Sequence, residues 1–120
     1  MFRTEHEPLA LLVELTPRLA KKRFREEIYK DWEHKCAYCG ANATSLDHIV
    51  PKYKSGCSNR YNLVPACTSC NANKGSEEMK SWYEKQDFFL KEKYEAIKKW
   101  IQENTLDFIN DNLETNKVIA

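Results

Sequence analysis

The sequence predicts a mostly helical α+β fold, a small metal-stapled core with helices on both sides. Three observations predict it. Two Cys-x-x-Cys pairs, Cys36/Cys39 and Cys67/Cys70, bracket one segment. Two short apolar runs, Leu46 to Val50 and Asn62 to Ala66, lie between the pairs and read as a two-strand hairpin. Apolar residues at helical spacing precede and follow the whole stretch.

The flanks come first in chain order. Met1 to Leu15 reads either as a short helix or as a segment laid across the core. Thr16-Pro17 is an N-cap followed by proline at the first helical position. A helix from Arg18 to about His34 follows, with Phe24, Ile28 and Trp32 on one stripe and Lys21, Lys22, Arg23 and Arg25 on the other face. That basic face suits either a solvated surface or phosphate contact. A helical turn or two from Cys67 to Lys74 stops at Gly75. Ser76 caps a helix from Glu77 to about Gln86, packed through Met79, Trp82 and Tyr83. A further helix spans about Phe88 to Glu103 on Leu90, Tyr94, Ile97 and Ile101, with one more turn at Leu106 to Ile109. Asn110 to Ala120 reads as a frayed tail. The expected organisation is an N-terminal helical segment (1–35), a core (36–75) and C-terminal helices (76–120) in one compact domain.

Composition bounds the function. The chain has 120 residues, 42% hydrophobic and 31% charged, an ordinary soluble composition. Its net charge of +1 hides an uneven distribution. Thr16 to Lys74 holds eleven Lys/Arg against five Asp/Glu, whereas Gly75 to Ala120 holds seven against ten. A basic centre suits a nucleic-acid partner or a mixed solvated surface. Leu9 to Val13 is too short an apolar run for a membrane or secretory segment, so no membrane partner and a reducing, cytoplasmic setting are expected.

Four of the five cysteines fall in the tight pairs, a spacing that favours a metal over disulfides. Two such turns complete a tetrahedral four-sulfur site, closed and therefore structural, for Zn²⁺. Between Cys39 and Cys67 lie 27 residues, enough to place the hairpin inside the clamp. Cys57 has no partner at ligand spacing and reads as a loop residue. Inside the clamp, Asp47 is a hard oxygen ligand for Mg²⁺ or a similar ion, and His48 beside it suits a general base. Asn71, one residue past the last thiolate, offers a second oxygen ligand. An ion held by two protein ligands keeps positions open for water and phosphate oxygens.

Taken together, Cys36-Ala-Tyr-Cys39-Gly40, Leu46-Asp47-His48-Ile49-Val50-Pro51 and Asn62-Leu63-Val64-Pro65-Ala66-Cys67-Thr-Ser-Cys70-Asn71-Ala-Asn-Lys74-Gly75 resemble the zinc-bearing branch of the HNH endonuclease family. The likeness covers about a third of the chain. It implies a ββα-metal fold and a metal-dependent DNA endonuclease, with a phage or homing-type free-standing nuclease as the favoured setting. It also implies roles. His48 would deprotonate the attacking water; Asp47 and Asn71 would hold a catalytic Mg²⁺ or Mn²⁺, with Asn73 the weaker candidate; Asn62 would steady the loop and the histidine. Lys74, together with Lys52, Lys54 and Arg60, is a DNA-contact candidate. Many members have Gly-Gly in the turn after the proline, where this chain has Ser55-Gly56-Cys57. Adjacent residues of an ideal strand point to opposite faces, so Asp47 and His48 can share a site only where the strand ends or twists. With no separate reader element in the sequence, long-site specificity would need the flanking helices, a homodimer or a partner protein. The competing class is a non-catalytic zinc-stabilised nucleic-acid-binding module.

Overall fold

The computed structural model describes residues 16–119, so the segment Met1 to Leu15 lies outside the described residues, as does Ala120. The first helix, α1, spans Pro17–Asp31. Pro17 opens it and Thr16 occupies the N-cap position, but without a side-chain cap bond. The helix ends about three residues before the expected His34. Glu33 and His34 both take positive φ, 55° and 61°, and His34 N–H returns to the Tyr29 carbonyl at 2.7 Å. Ile28 is fully buried, while Phe24 and Trp32 flank it half-buried.

Strand β1, Ser45–His48, pairs antiparallel with β2, Leu63–Ala66, in the register Ser45↔Ala66 to His48↔Leu63. Both strands are shorter than the apolar runs that announced them. Past His48 one backbone bond remains, Ile49 N–H to the Asn62 carbonyl at 2.9 Å, and the Asn62 side chain then takes over, its Oδ1 accepting from Val50 N–H at 2.8 Å. Every residue of β2 is buried, including Pro65. Proline is tolerated in so short a ribbon because each strand is an edge, and its carbonyl accepts from Ala37 N–H at 2.9 Å.

Helix α2, Thr68–Lys74, starts on Cys67, whose sulfur accepts from Cys70 N–H. Gly75 ends it at φ 53°. Helix α3 is Met79–Tyr83 with Glu78 at the N-cap, shorter at both ends than the Ser76-capped helix expected. Glu77 N–H is drawn back to the Lys74 carbonyl at 3.0 Å, so Ser76 lies in a turn and cannot start a helix. Helix α4 runs unbroken from Lys91 to Ile119, 29 residues and about 43 Å. The expected break after Glu103 and the frayed tail are corrected: no proline or glycine interrupts the stretch. Leu90 precedes the helix and is 49% exposed, so it is not part of the buried stripe.

The core lies between these elements. Tyr38 packs edge-on against Trp82 and Tyr83, with ring centroids 5.0 and 5.4 Å away. Val64, Ala66, Met79 and Ile97 complete it. Trp100 of α4 donates through Nε1 to the carbonyls of Arg60 and Leu63, at 3.1 and 2.9 Å, and meets Trp32 at 5.5 Å. Both flanking helices are thus tied to the start of β2, which holds the hairpin still.

Candidate active site

The four sulfurs of Cys36, Cys39, Cys67 and Cys70 all lie within 4.8 Å of one another, and Cys39 and Cys67 are 3.6 Å apart. Tetrahedral zinc with Zn–S bonds of about 2.3 Å puts sulfurs about 3.8 Å apart, so the tetrad fits one such ion. Two local turns build it. Gly40, at φ 85°, closes the first through its N–H to the Cys36 carbonyl; the opening of α2 supplies the second. Burial, then the neighbouring Cys36 and Cys67, pushes the Cys70 thiol far up. Burial also acts upward on Cys67, but hydrogen bonds from Cys70 and the other cysteines bring it below its ordinary value. A dication among the sulfurs would relieve that opposition.

Asp47, His48 and Asn71 border one depression of about 310 Å³. His48 ends β1 and places Nε2 3.1 Å from Ser58 Oγ. Burial lowers its pKa, Lys52 and Lys74 add to that, and Asp47 opposes them. The imidazole is therefore neutral at pH 7, with a nitrogen lone pair able to take a proton. Asp47 points inward instead. It is 4% exposed, and its Oδ2 accepts from Tyr38 OH at 2.6 Å and pairs with Lys74 Nζ at 3.1 Å. Burial and the neighbouring carboxylate raise the Tyr38 pKa well above its usual value, which keeps the phenol a donor.

Lys74 is corrected as a candidate DNA contact. It is 2% exposed, and besides Asp47 it donates to the His48 carbonyl at 3.0 Å. Its ammonium neutralises the carboxylate and pins the end of β1. Asn71 Nδ2 donates to Ser45 Oγ at 2.7 Å, which leaves the amide oxygen available. Among the described residues Asp47 Oδ1 is met only by Lys74, at 3.4 Å, and it retains acceptor capacity. Two oxygen donors of this kind fit a hard divalent ion, with Lys74 as the internal cation it must work beside. Asn73 is used elsewhere, its Oδ1 accepting from Trp82 Nε1 at 2.7 Å.

Asn62 is buried and grips the loop after His48. Its Nδ2 donates to the carbonyls of Val50 and Cys57, at 3.1 and 2.7 Å, while its Oδ1 takes Val50 N–H. Its bonds go to the loop backbone, not to the histidine ring. Gly56 is required there: a Cβ would lie 1.8 Å from the Val50 carbonyl oxygen. Among the other basic candidates, Lys52 borders the depression and is exposed, and Lys54 lies 4.0 Å from Glu78. Arg60 is corrected. Its guanidinium pairs with Asp31, donates to Asn104 at 2.8 Å and stacks over Trp100 at 4.7 Å, so it joins α1 to α4.

Residues 36–77, which contain the four cysteines, Tyr38, Asp47, His48, Asn62, Asn71 and Lys74, match the family model of the HNH endonuclease. Over this segment the chain is similar to the HNH endonuclease family. The CRISPR-associated endonuclease Cas9 of Corynebacterium diphtheriae is 36% identical over 74 residues, 55% of this chain and 7% of that protein. The Cas9 of Actinomyces naeslundii is 40% identical over 55 residues, 42% of this chain and 5% of that protein. The chain thus spans less than a tenth of the length of these curated relatives. No solved structure is significantly similar to it. Among the described residues no helix is long and apolar enough to cross a membrane.

Two residues of the candidate site escaped the sequence reading, Tyr38 and Ser58. Tyr38 had a signal: a tyrosine between two zinc-spaced cysteines faces the core, and a buried phenol needs a partner. Ser58 had none, since its role depends on how the loop folds back over His48.

Proposed function

We propose that this chain hydrolyses DNA phosphodiester bonds with His48 as general base. The observation that carries the reading is the convergence of His48, Asp47 and Asn71, whose amide oxygen is left available, on one depression within a segment that matches the HNH family. In this reading His48 takes a proton from water as the water's oxygen attacks phosphorus in line. Asp47 Oδ1 and Asn71 Oδ1 would hold a divalent ion, Mg²⁺ or Mn²⁺. That ion supplies Lewis-acid stabilisation of charge on the phosphate and leaving oxygens. Asn62 keeps the loop closed and Ser58 bears on the imidazole. Lys74 and Tyr38 hold the carboxylate in place. The tetrad would hold Zn²⁺ as a structural ion, and Lys52 is an exposed cation bordering the same depression. The chemistry belongs to 36–75, with 1–35 and 76–120 as support. The phage or homing-type setting and a homodimer or partner protein for specificity rest on the family resemblance alone.

The test is conversion of supercoiled plasmid to nicked or linear form by zinc-loaded protein with added Mg²⁺ or Mn²⁺. Cleavage that needs the added ion supports the reading. One observation favours a second reading. Lys74 already neutralises Asp47, as it would in a zinc-stabilised module that binds nucleic acid without cutting. Plasmid bound but left intact with either ion would establish that alternative.

A further inference from the structure

We propose that a furrow running from His48 along β1 to α1 seats the DNA backbone on one side of the cleaved bond, with Lys22 and Arg25 as its phosphate contacts. The inference rests on the nuclease reading above. Three surface depressions share walls. The His48 depression shares Asn71 with a second, of about 480 Å³, bounded by Thr44, Ser45 and Thr68. That one shares Thr44 and Ser45 with a third, of about 530 Å³, which reaches Lys22 and Arg25 on α1. The path is continuous in residues from the proposed base to the basic helix face.

Its chemistry suits phosphodiester oxygens. The Thr44 and Thr68 hydroxyls, exposed and 2.9 Å apart, and the Asn71 amide provide neutral hydrogen-bonding groups along the floor. Lys22 and Arg25 stand three residues apart on one face of α1, both exposed. Among the described residues neither is held in an ion pair, although Glu26 borders the same depression. The burial of Ile28 fixes which way the helix is turned, and leaves Lys22 and Arg25 solvent-exposed along the side of α1 that borders Thr44, Ser45 and Leu46. Cations here would set affinity and register on the backbone without reading sequence.

The test is binding of a fluorescent DNA duplex by zinc-loaded His48→Ala protein as salt is varied, which measures the surface without turnover. Lys22→Ala/Arg25→Ala in that background should raise Kd about tenfold near 0.1 M salt. It should also flatten the log Kd against log salt slope by about 1.8, two phosphates at ~0.9 each. Lys98→Ala/Lys99→Ala, on exposed α4, should leave the slope unchanged. An unaltered slope in the α1 variant, or an equal loss in the α4 variant, overturns the furrow. If His48-intact protein cleaves plasmid and the α1 variant binds like its parent, the furrow falls and the nuclease stands. If the parent binds no duplex at all, both fall.

Discussion

Asp47 carries two demands that pull against each other. As a buried carboxylate it needs Lys74 and Tyr38; as an oxygen ligand it must leave one atom to an ion. Among the described residues the geometry meets both by loading Oδ2 and leaving Oδ1 with a single 3.4 Å contact. Breaking the pair from the lysine side leaves a buried charge, so Lys74→Met should cost about 3–5 kcal/mol, read by chemical denaturation of zinc-loaded protein. Lys74→Met with Asp47→Asn should recover part of that loss, because no unpaired charge remains. Tyr38→Phe keeps the rings packed and removes one hydrogen bond to a charged group, about 1.5–3 kcal/mol. A melting temperature unchanged from the parent would contradict that assignment. At this scale the sequence was partly legible. Asp47, His48, Asn62 and Asn71 could be picked out by type and spacing, but the inward turn of Lys74 could not. A lysine at a helix end is ordinarily solvated. Only the hairpin's approach to α2 reveals that its ammonium is enclosed.

At the scale of elements, the metal turns and the loop they frame decide whether a site exists. A segment of about 40 residues rarely holds a core without a metal or outside packing, and here the tetrad joins the first turn to the start of α2. Stripping zinc with a chelator should abolish the cooperative melt of the hairpin and α2, and Cys70→Ser should reproduce that loss with zinc present. Circular dichroism with zinc titration checks both; full cooperativity without metal would contradict them. In the loop after His48, Gly56→Ala drives a methyl into the Val50 carbonyl and should displace the strand end, with a fall of several degrees in Tm. Element types were legible from periodicity and turn residues, but their ends were not. Glu33 and His34 end α1 through left-handed backbone that glycine would ordinarily mark. Ser76 looked like a cap, yet a turn from Lys74 had already claimed its neighbour. The length of α4 was missed because a polar helix looks like a polar tail.

Over the whole molecule, the site is small and its support comes from outside it. Trp100 and Arg60 fasten α4, the 60–62 turn and the end of α1 into one brace behind β2. Arg60 looked like a DNA contact from sequence because its charge lies next to the hairpin. Its partners, Asp31 and Asn104, are 29 and 44 residues away, and no local pattern announces them. The basic bias of the centre is therefore only partly a surface property. Lys74 and Arg60 use their charge internally, whereas Lys22, Arg25 and Lys52 are among the exposed cations. The central claim is that the domain cuts DNA through His48 and an ion held at Asn71. The most direct measurement is the plasmid cleavage rate of zinc-loaded His48→Ala and Asn71→Ala in Mg²⁺ or Mn²⁺, beside the parent and with melts confirming folding. The account predicts a loss of at least about a hundredfold for His48→Ala and a comparable loss for Asn71→Ala. Parent-level cleavage by both folded variants would contradict it.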